Sequence, residues 1–161
     1  DAGKYQVHRE VIDVKARLGK LVSSMKPLVE EAGGTIQLNG KADQALLIDV
    51  DALDFTISNL IGNAIKYAPG TPLKIHFSQM HGNLEISVSD EGPGIPADEQ
   101  ESVFKKFYRI ESEDTRSKKG TGLGLYLAHE LVSMQGGSLS IADHSAQKGV
   151  TFIIKLPYEQ Q

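Results

Sequence analysis

Cysteine is absent from the 161-residue sequence, which excludes disulfides and cysteine-ligated metal centres and agrees with a reducing compartment. A basic surplus is missing too. With 17 Lys and Arg against 21 Asp and Glu the formal net charge is -4, so nothing is in excess to neutralise a phosphate backbone and no nucleic-acid partner is expected. No apolar run approaches the roughly 20 residues a membrane-spanning helix needs, and no charged-then-apolar leader opens the chain. A cytoplasmic domain without membrane contact of its own is the expectation. The five histidines, His8, His76, His81, His129 and His144, are scattered without the close pairing of a zinc site. What is present suffices for one core, since 40% of the residues are hydrophobic and the length suits one domain.

The most informative stretch is Asn59-Leu60-Ile61-Gly62-Asn63-Ala64-Ile65-Lys66-Tyr67. At about 100° per residue, Asn59, Asn63, Lys66 and Tyr67 share one face of a helix, while Leu53, Ile57, Leu60, Ile61 and Ala64 share the opposite arc. Two neutral amide oxygens one turn apart suit a hard cation such as Mg2+. Lys66 adds a charge for phosphate, and Tyr67 adds a flat face for a base.

Leu84 to Ser89 reads as a strand, followed by Asp90-Glu91-Gly92-Pro93-Gly94-Ile95-Pro96, a carboxylate at a strand end beside a tight glycine turn. An acceptor-only Asp90 can accept a hydrogen bond from the exocyclic amine of adenine and is repelled by the carbonyl of guanine, so it would select ATP over GTP. Gly120-Thr121-Gly122-Leu123-Gly124-Leu125 then opens a helical pattern of Leu123, Leu127, Leu131 and Met134. Glycines admit close approach to phosphate, and the free amides of a helix start attract anions. No Gly-Lys-Ser/Thr follows, so this is not a P-loop.

The order and spacing of these blocks, with Phe104-Lys105-Lys106-Phe107-Tyr108-Arg109 between the last two, resemble the catalytic domain of bacterial sensor histidine kinases. Residues 59–67 resemble that family's N box, 90–94 its first glycine box, 104–109 its F box and 120–125 its second glycine box. Gly136-Gly137 and Gly149-Val150-Thr151-Phe152 match its closing elements. The resemblance implies an α+β fold, a two-layer sandwich of a mixed sheet with helices on one face, shared with gyrase, Hsp90 and MutL proteins. The pattern agrees. Helices are expected from Val14 to Val29, tolerating or kinking at Pro27, and over 51–67, 97–107 and 121–135. Strands are expected over 35–38, 45–50, 73–77, 84–89, 138–142 and 150–156, with a strand-like alternation at Val7, Arg9 and Val11.

By that resemblance the chain divides into a linker remnant at 1–6, the catalytic and ATP-binding domain at 7–158 and a tail at 159–161. Asn63, with Asn59, would hold Mg2+, and Lys66 and Arg109 would meet phosphate. Tyr67 and Asp90 would bind adenine in a loop shaped by Gly92, Gly94 and Ile95. Lys118, Lys119, Gly120, Thr121, Gly122, Leu123, Gly124 and Leu125 would surround the phosphates, and Thr151 would assist Asp90 through a water. Phe104 and Phe107 would pack the base of a mobile, charged lid over 108–120.

Family phosphoacceptors are followed at once by an acidic residue, and His8-Arg9-Glu10 departs from that pattern. The acceptor histidine is therefore expected on a separate dimerisation domain, through which a response regulator is served. The isolated domain would be monomeric and its parent a homodimer, which the resemblance allows to be anchored in the inner membrane. Related hydrolases carry a water-activating glutamate where Asn59 stands, and an amide is a poor general base, so transfer is favoured over hydrolysis. The alternatives are a nucleotide-sensing module without transfer activity and an anti-sigma-factor-like serine kinase.

Overall fold

The computed structural model describes residues 5–42, 45–108, 123–142 and 148–160. In chain order its elements are β1 (Glu10–Ile12), α1 (Val14–Glu31), β2 (Thr35–Lys41), β3 (Leu46–Ile48), α2 (Val50–Tyr67), β4 (Pro72–Met80) and β5 (Asn83–Ser89). After two short 3-10 turns, Ala97–Glu99 and Ser102–Phe104, come α3 (Gly124–Met134), β6 (Ser138–Ile141), β7 (Thr151–Pro157) and β8 (Glu159–Gln160).

Five strands form a sheet in the order β2-β4-β5-β7-β6, with β2 and β4 parallel and the other pairs antiparallel. Alternation along β4 and β5 sends Leu73, Ile75, Phe77, Leu84, Ile86 and Val88 into the core, while the residues between them are more exposed. Such one-sided burial is what an antiparallel sheet with a single covered face requires. The covering layer is helical: α1 packs on β2, α2 on β5 and α3 on β6 and β7. This is the expected α+β sandwich. The β4–β5 hairpin closes through His81 and Gly82, both at positive φ (51° and 81°), the conformation of a tight two-residue turn.

Helix α2 follows its sequence pattern closely. Leu53, Ile57, Leu60, Ile61 and Ala64 are all buried. Its start is fixed by Asp49, which is 1% exposed and accepts from the Ala52 amide at 3.0 Å as an N-cap. The same carboxylate accepts from the His8 amide at 3.0 Å and from the Tyr5 hydroxyl at 2.9 Å, so burial of the charge is offset by three donors. Burial, then the Asp49 hydrogen bond, pushes the Tyr5 phenol up to about 12. Tyr5→Phe is expected to lower the free energy of unfolding by about 1 kcal/mol, the usual net value of such a bond, read from the urea midpoint.

Tyr5 reaches Asp49, and β8 pairs with β3, which also pairs with β1 in a second, three-stranded sheet. One expectation needs correction here. Residues 97–107 form no continuous helix: only Val103 is buried there, and Lys105 turns to extended backbone (ψ 148°) after Phe104. Helix α1 tolerates Pro27, one of the two outcomes its sequence allowed, and runs on to Glu31.

Candidate functional site

A largely apolar slot opens between the C-terminal half of α2, the loop after β5 and the entry to β7. Ala64, Ala68, Pro93, Ile95, Leu125, Val150 and Phe152 form its walls, and Asn63, Tyr67 and Asp90 bring polar groups to it. Flat walls with a few convergent polar atoms suit a planar heterocycle. Asp90 follows β5 directly, and its orientation is fixed by the main chain: Oδ1 accepts from the Gly92 amide at 3.0 Å and from the Val150 amide at 3.3 Å. The Asp90 amide in turn donates to the Val150 carbonyl at 3.0 Å.

Glycines allow this crowding. A Cβ on Gly149 would lie 1.9 Å from the Asp90 carbonyl oxygen, and one on Gly92 would lie 2.4 Å from the Ala68 Cβ. Gly92, placed in the adenine loop on sequence grounds, is therefore required by the end of α2. Gly149 was legible only as a family element, because its neighbour is 59 positions away in the chain.

On α2, Lys66 and Tyr67 stand together, with the Lys66 ammonium 5.3 Å from the Tyr67 ring centroid. Asn59 differs from the simple picture of a solvated ligand, because its Oδ1 is buried and has no hydrogen-bond partner among the described residues. The first residue of α3 covers it, and a Cβ on Gly124 would come within 2.3 Å of the Asn59 amide nitrogen. Gly124 thus serves helix packing over Asn59 as well as any anion. Among the described residues, the first turn of α3 has neither a side-chain cap at Leu123 nor an acidic residue.

These residues fit Mg2+ by donor type: an orphaned amide oxygen at Asn59 and a second amide one turn on at Asn63 are hard, neutral ligands. Among the described residues no group of three or more His, Cys, Asp or Glu is gathered to hold a metal, so phosphate oxygens would have to complete the shell.

Thr151 lies across the β5–β7 pair from Ser89, with their hydroxyl oxygens 2.7 Å apart. Phe104 packs 5.1 Å from the His129 ring and 6.2 Å edge-on to Phe152. Phe107 does not, being 64% exposed at φ 67°, which corrects the expectation that it packs. Tyr108 donates to Glu99, and that bond pushes the phenol up to about 12. Arg109, Lys118, Lys119, Gly120, Thr121, Gly122 and most of the expected lid lie outside the described residues.

Residues 48–160 match the model of the histidine kinase-, DNA gyrase B- and HSP90-like ATPases. The chain belongs to that family. Within it, similarity is to sensor histidine kinases: WalK of Bacillus subtilis is 35% identical over 164 aligned positions, spanning all of this chain and 27% of that protein. Sensor protein SrrB of Staphylococcus aureus is 32% identical over 158 positions, 98% of this chain and 27% of its own length. The chain therefore spans about a quarter of these relatives. Among solved structures, full-length ShkA in complex with AMPPNP superposes with a TM-score of 0.86 at 23% identity, covering 98% of this chain and 32% of that one. The catalytic domain of histidine kinase ThkA gives 0.81 at 21%, covering 93% and 95%. Those two likenesses establish the fold of a histidine kinase ATPase domain. Among the described residues no helix is long and apolar enough to cross a membrane.

Proposed function

We propose that this histidine kinase-type domain binds Mg-ATP and passes the γ-phosphoryl group to a histidine on a separate dimerisation domain, which in turn serves a response regulator. The observation that carries the reading is the main-chain clamp on Asp90 at the end of an apolar slot, opposite Asn63 and Tyr67. A carboxylate so held meets the adenine amine without reorganising. Tyr67 and the aliphatic walls take the ring, Lys66 meets phosphate, and the uncapped amides of α3 hold the β- and γ-phosphates. Bound Mg2+ would supply charge neutralisation, with Asn63 and Asn59 as its protein ligands. Phosphoryl transfer asks chiefly for such positioning, since the nucleophile arrives on the partner. An amide at position 59 gives water no general base, which favours transfer over hydrolysis.

Incubated alone with γ-labelled Mg-ATP, the chain should bind nucleotide without labelling itself or turning over at an enzyme-like rate of roughly 1 to 1000 per second. Added dimerisation domain should acquire an acid-labile, alkali-stable phosphoryl group, at high concentration because the covalent tether is lost. Asn63→Ala should abolish most of the Mg2+ enhancement of ATP affinity in calorimetry while leaving metal-free binding of adenosine intact. Rapid hydrolysis by the chain alone, or label on His8, would sink the transfer reading. Full Mg2+ enhancement in the Asn63 variant would remove that residue from the metal.

A further inference from the structure

Among the described residues, two polar oxygens on α2 are sealed from solvent without a hydrogen-bond partner: the Thr56 hydroxyl and Asn59 Oδ1. The whole of Thr56 is buried, at 1% exposure. One of these groups can donate and the other can only accept, and each is costly to leave unpaired. The usual outlet for a helical threonine, a bond back to the carbonyl four residues earlier, is not taken. Gly124, the α3 residue lying over the Asn59 amide, has no side chain to offer it a partner.

Thr56 and Asn59 stand three residues apart, so they are neighbours on one helix face with Cβ atoms about 5–6 Å from each other. One water making two hydrogen bonds of about 2.8 Å is the smallest group that could serve both oxygens. The polar stripe of Asn59, Asn63 and Tyr67 therefore continues one turn inward to a residue that the surrounding core would otherwise fill with valine.

We propose that the Thr56 hydroxyl, through one buried water, holds the Asn59 amide with its oxygen presented to the metal side of the site. Thr56 is then a positioning residue. The water occupies one lone pair of Oδ1, fixing the side chain between α2 and α3, and the second lone pair remains for the metal or a water bound to it. This inference rests on the assignment of Asn59 to the metal side of the nucleotide site.

Thr56→Val removes the hydroxyl at nearly constant shape, and Thr56→Ser restores it. The valine variant should lose about three- to tenfold of the Mg2+ enhancement of binding to a non-hydrolysable ATP analogue, and the serine variant should recover it. Without metal or nucleotide, the valine variant should melt a few degrees below wild type, and the Asn59 side-chain amide protons, slow to exchange in wild type, should exchange faster. A valine variant that melts at or above wild type and keeps the full enhancement would overturn the proposal, since the hydroxyl would then be merely buried. Fast exchange of the Asn59 amide in the wild-type protein would overturn it too, independently of how any variant folds. Should wild type show no Mg2+ enhancement at all, the metal reading falls, and the nucleotide-free melting and exchange measurements still decide the bridge.

Discussion

Replacing Asp90 by asparagine is expected to weaken ATP binding about 5- to 150-fold while the domain stays folded, a loss of roughly 1 to 3 kcal/mol. The separation of the two effects follows from the clamp. Oδ1 takes the amides of Gly92 and Val150, and asparagine keeps an oxygen there, so the loop retains both bonds. The other carboxylate oxygen becomes an amide nitrogen, which sets a donor against the donor of the adenine amine. Calorimetry with ATP measures the loss, and circular dichroism checks the fold. GTP, whose carbonyl would now meet a donor, should gain relative to ATP. Undiminished ATP affinity would take Asp90 out of the site.

Gly149→Ala should be the most destabilising of the changes considered, at about 3–5 kcal/mol, which is a large part of the stability of a typical domain. Two costs combine. The residue sits at φ 91°, where a side chain is strained by about 1 kcal/mol or more, and the new Cβ would lie 1.9 Å from the Asp90 carbonyl oxygen. That obstacle is main chain, so no rotamer change relieves it, and β7 must move away from the loop that carries the carboxylate. Gly82→Ala provides the comparison: φ is 81° there, but nothing lies within 4 Å of the added Cβ, so only the strain of about 1 kcal/mol should appear. Urea midpoints for the two variants separate conformation from close approach. Equal losses would mean that the Gly149 contact relaxes freely.

Features encoded within one element were legible in the sequence. Helix α2 could be read with its core side and its Asn59, Asn63, Lys66 and Tyr67 stripe because both repeat at helical spacing. The same holds for β4 and β5, whose alternation matches their burial. Residues 97–107 misled because they lack a long apolar period, and helix-forming residues alone do not specify a helix without a face to bury. Glycine roles were legible only in part. Gly92 and Gly94 mark a turn in any sequence, whereas the need for Gly92 against Ala68, or Gly124 against Asn59, exists only once α2 and its neighbours have packed. The slot walls at Ala64, Ala68, Val150 and Phe152 stayed hidden for the same reason: apolar residues that line a site look like core until the fold brings them to its edge.

The small sheet of β1, β3 and β8 bears on protein engineering. Strands β1 and β8 flank β3, with Gln160 and Ile12 both level with Leu46, so the backbone at Glu10 and Gln160 lies about 12 Å apart by strand spacing and rise. A linker that runs from Gln160 back to a point ahead of Tyr5 would close the domain into a ring while keeping both partners of β3 and the Tyr5 and His8 bonds to Asp49. The domain could then be reopened at the exposed His81–Gly82 turn as a circular permutant, or spliced into a surface loop of another protein as a nucleotide-responsive insert.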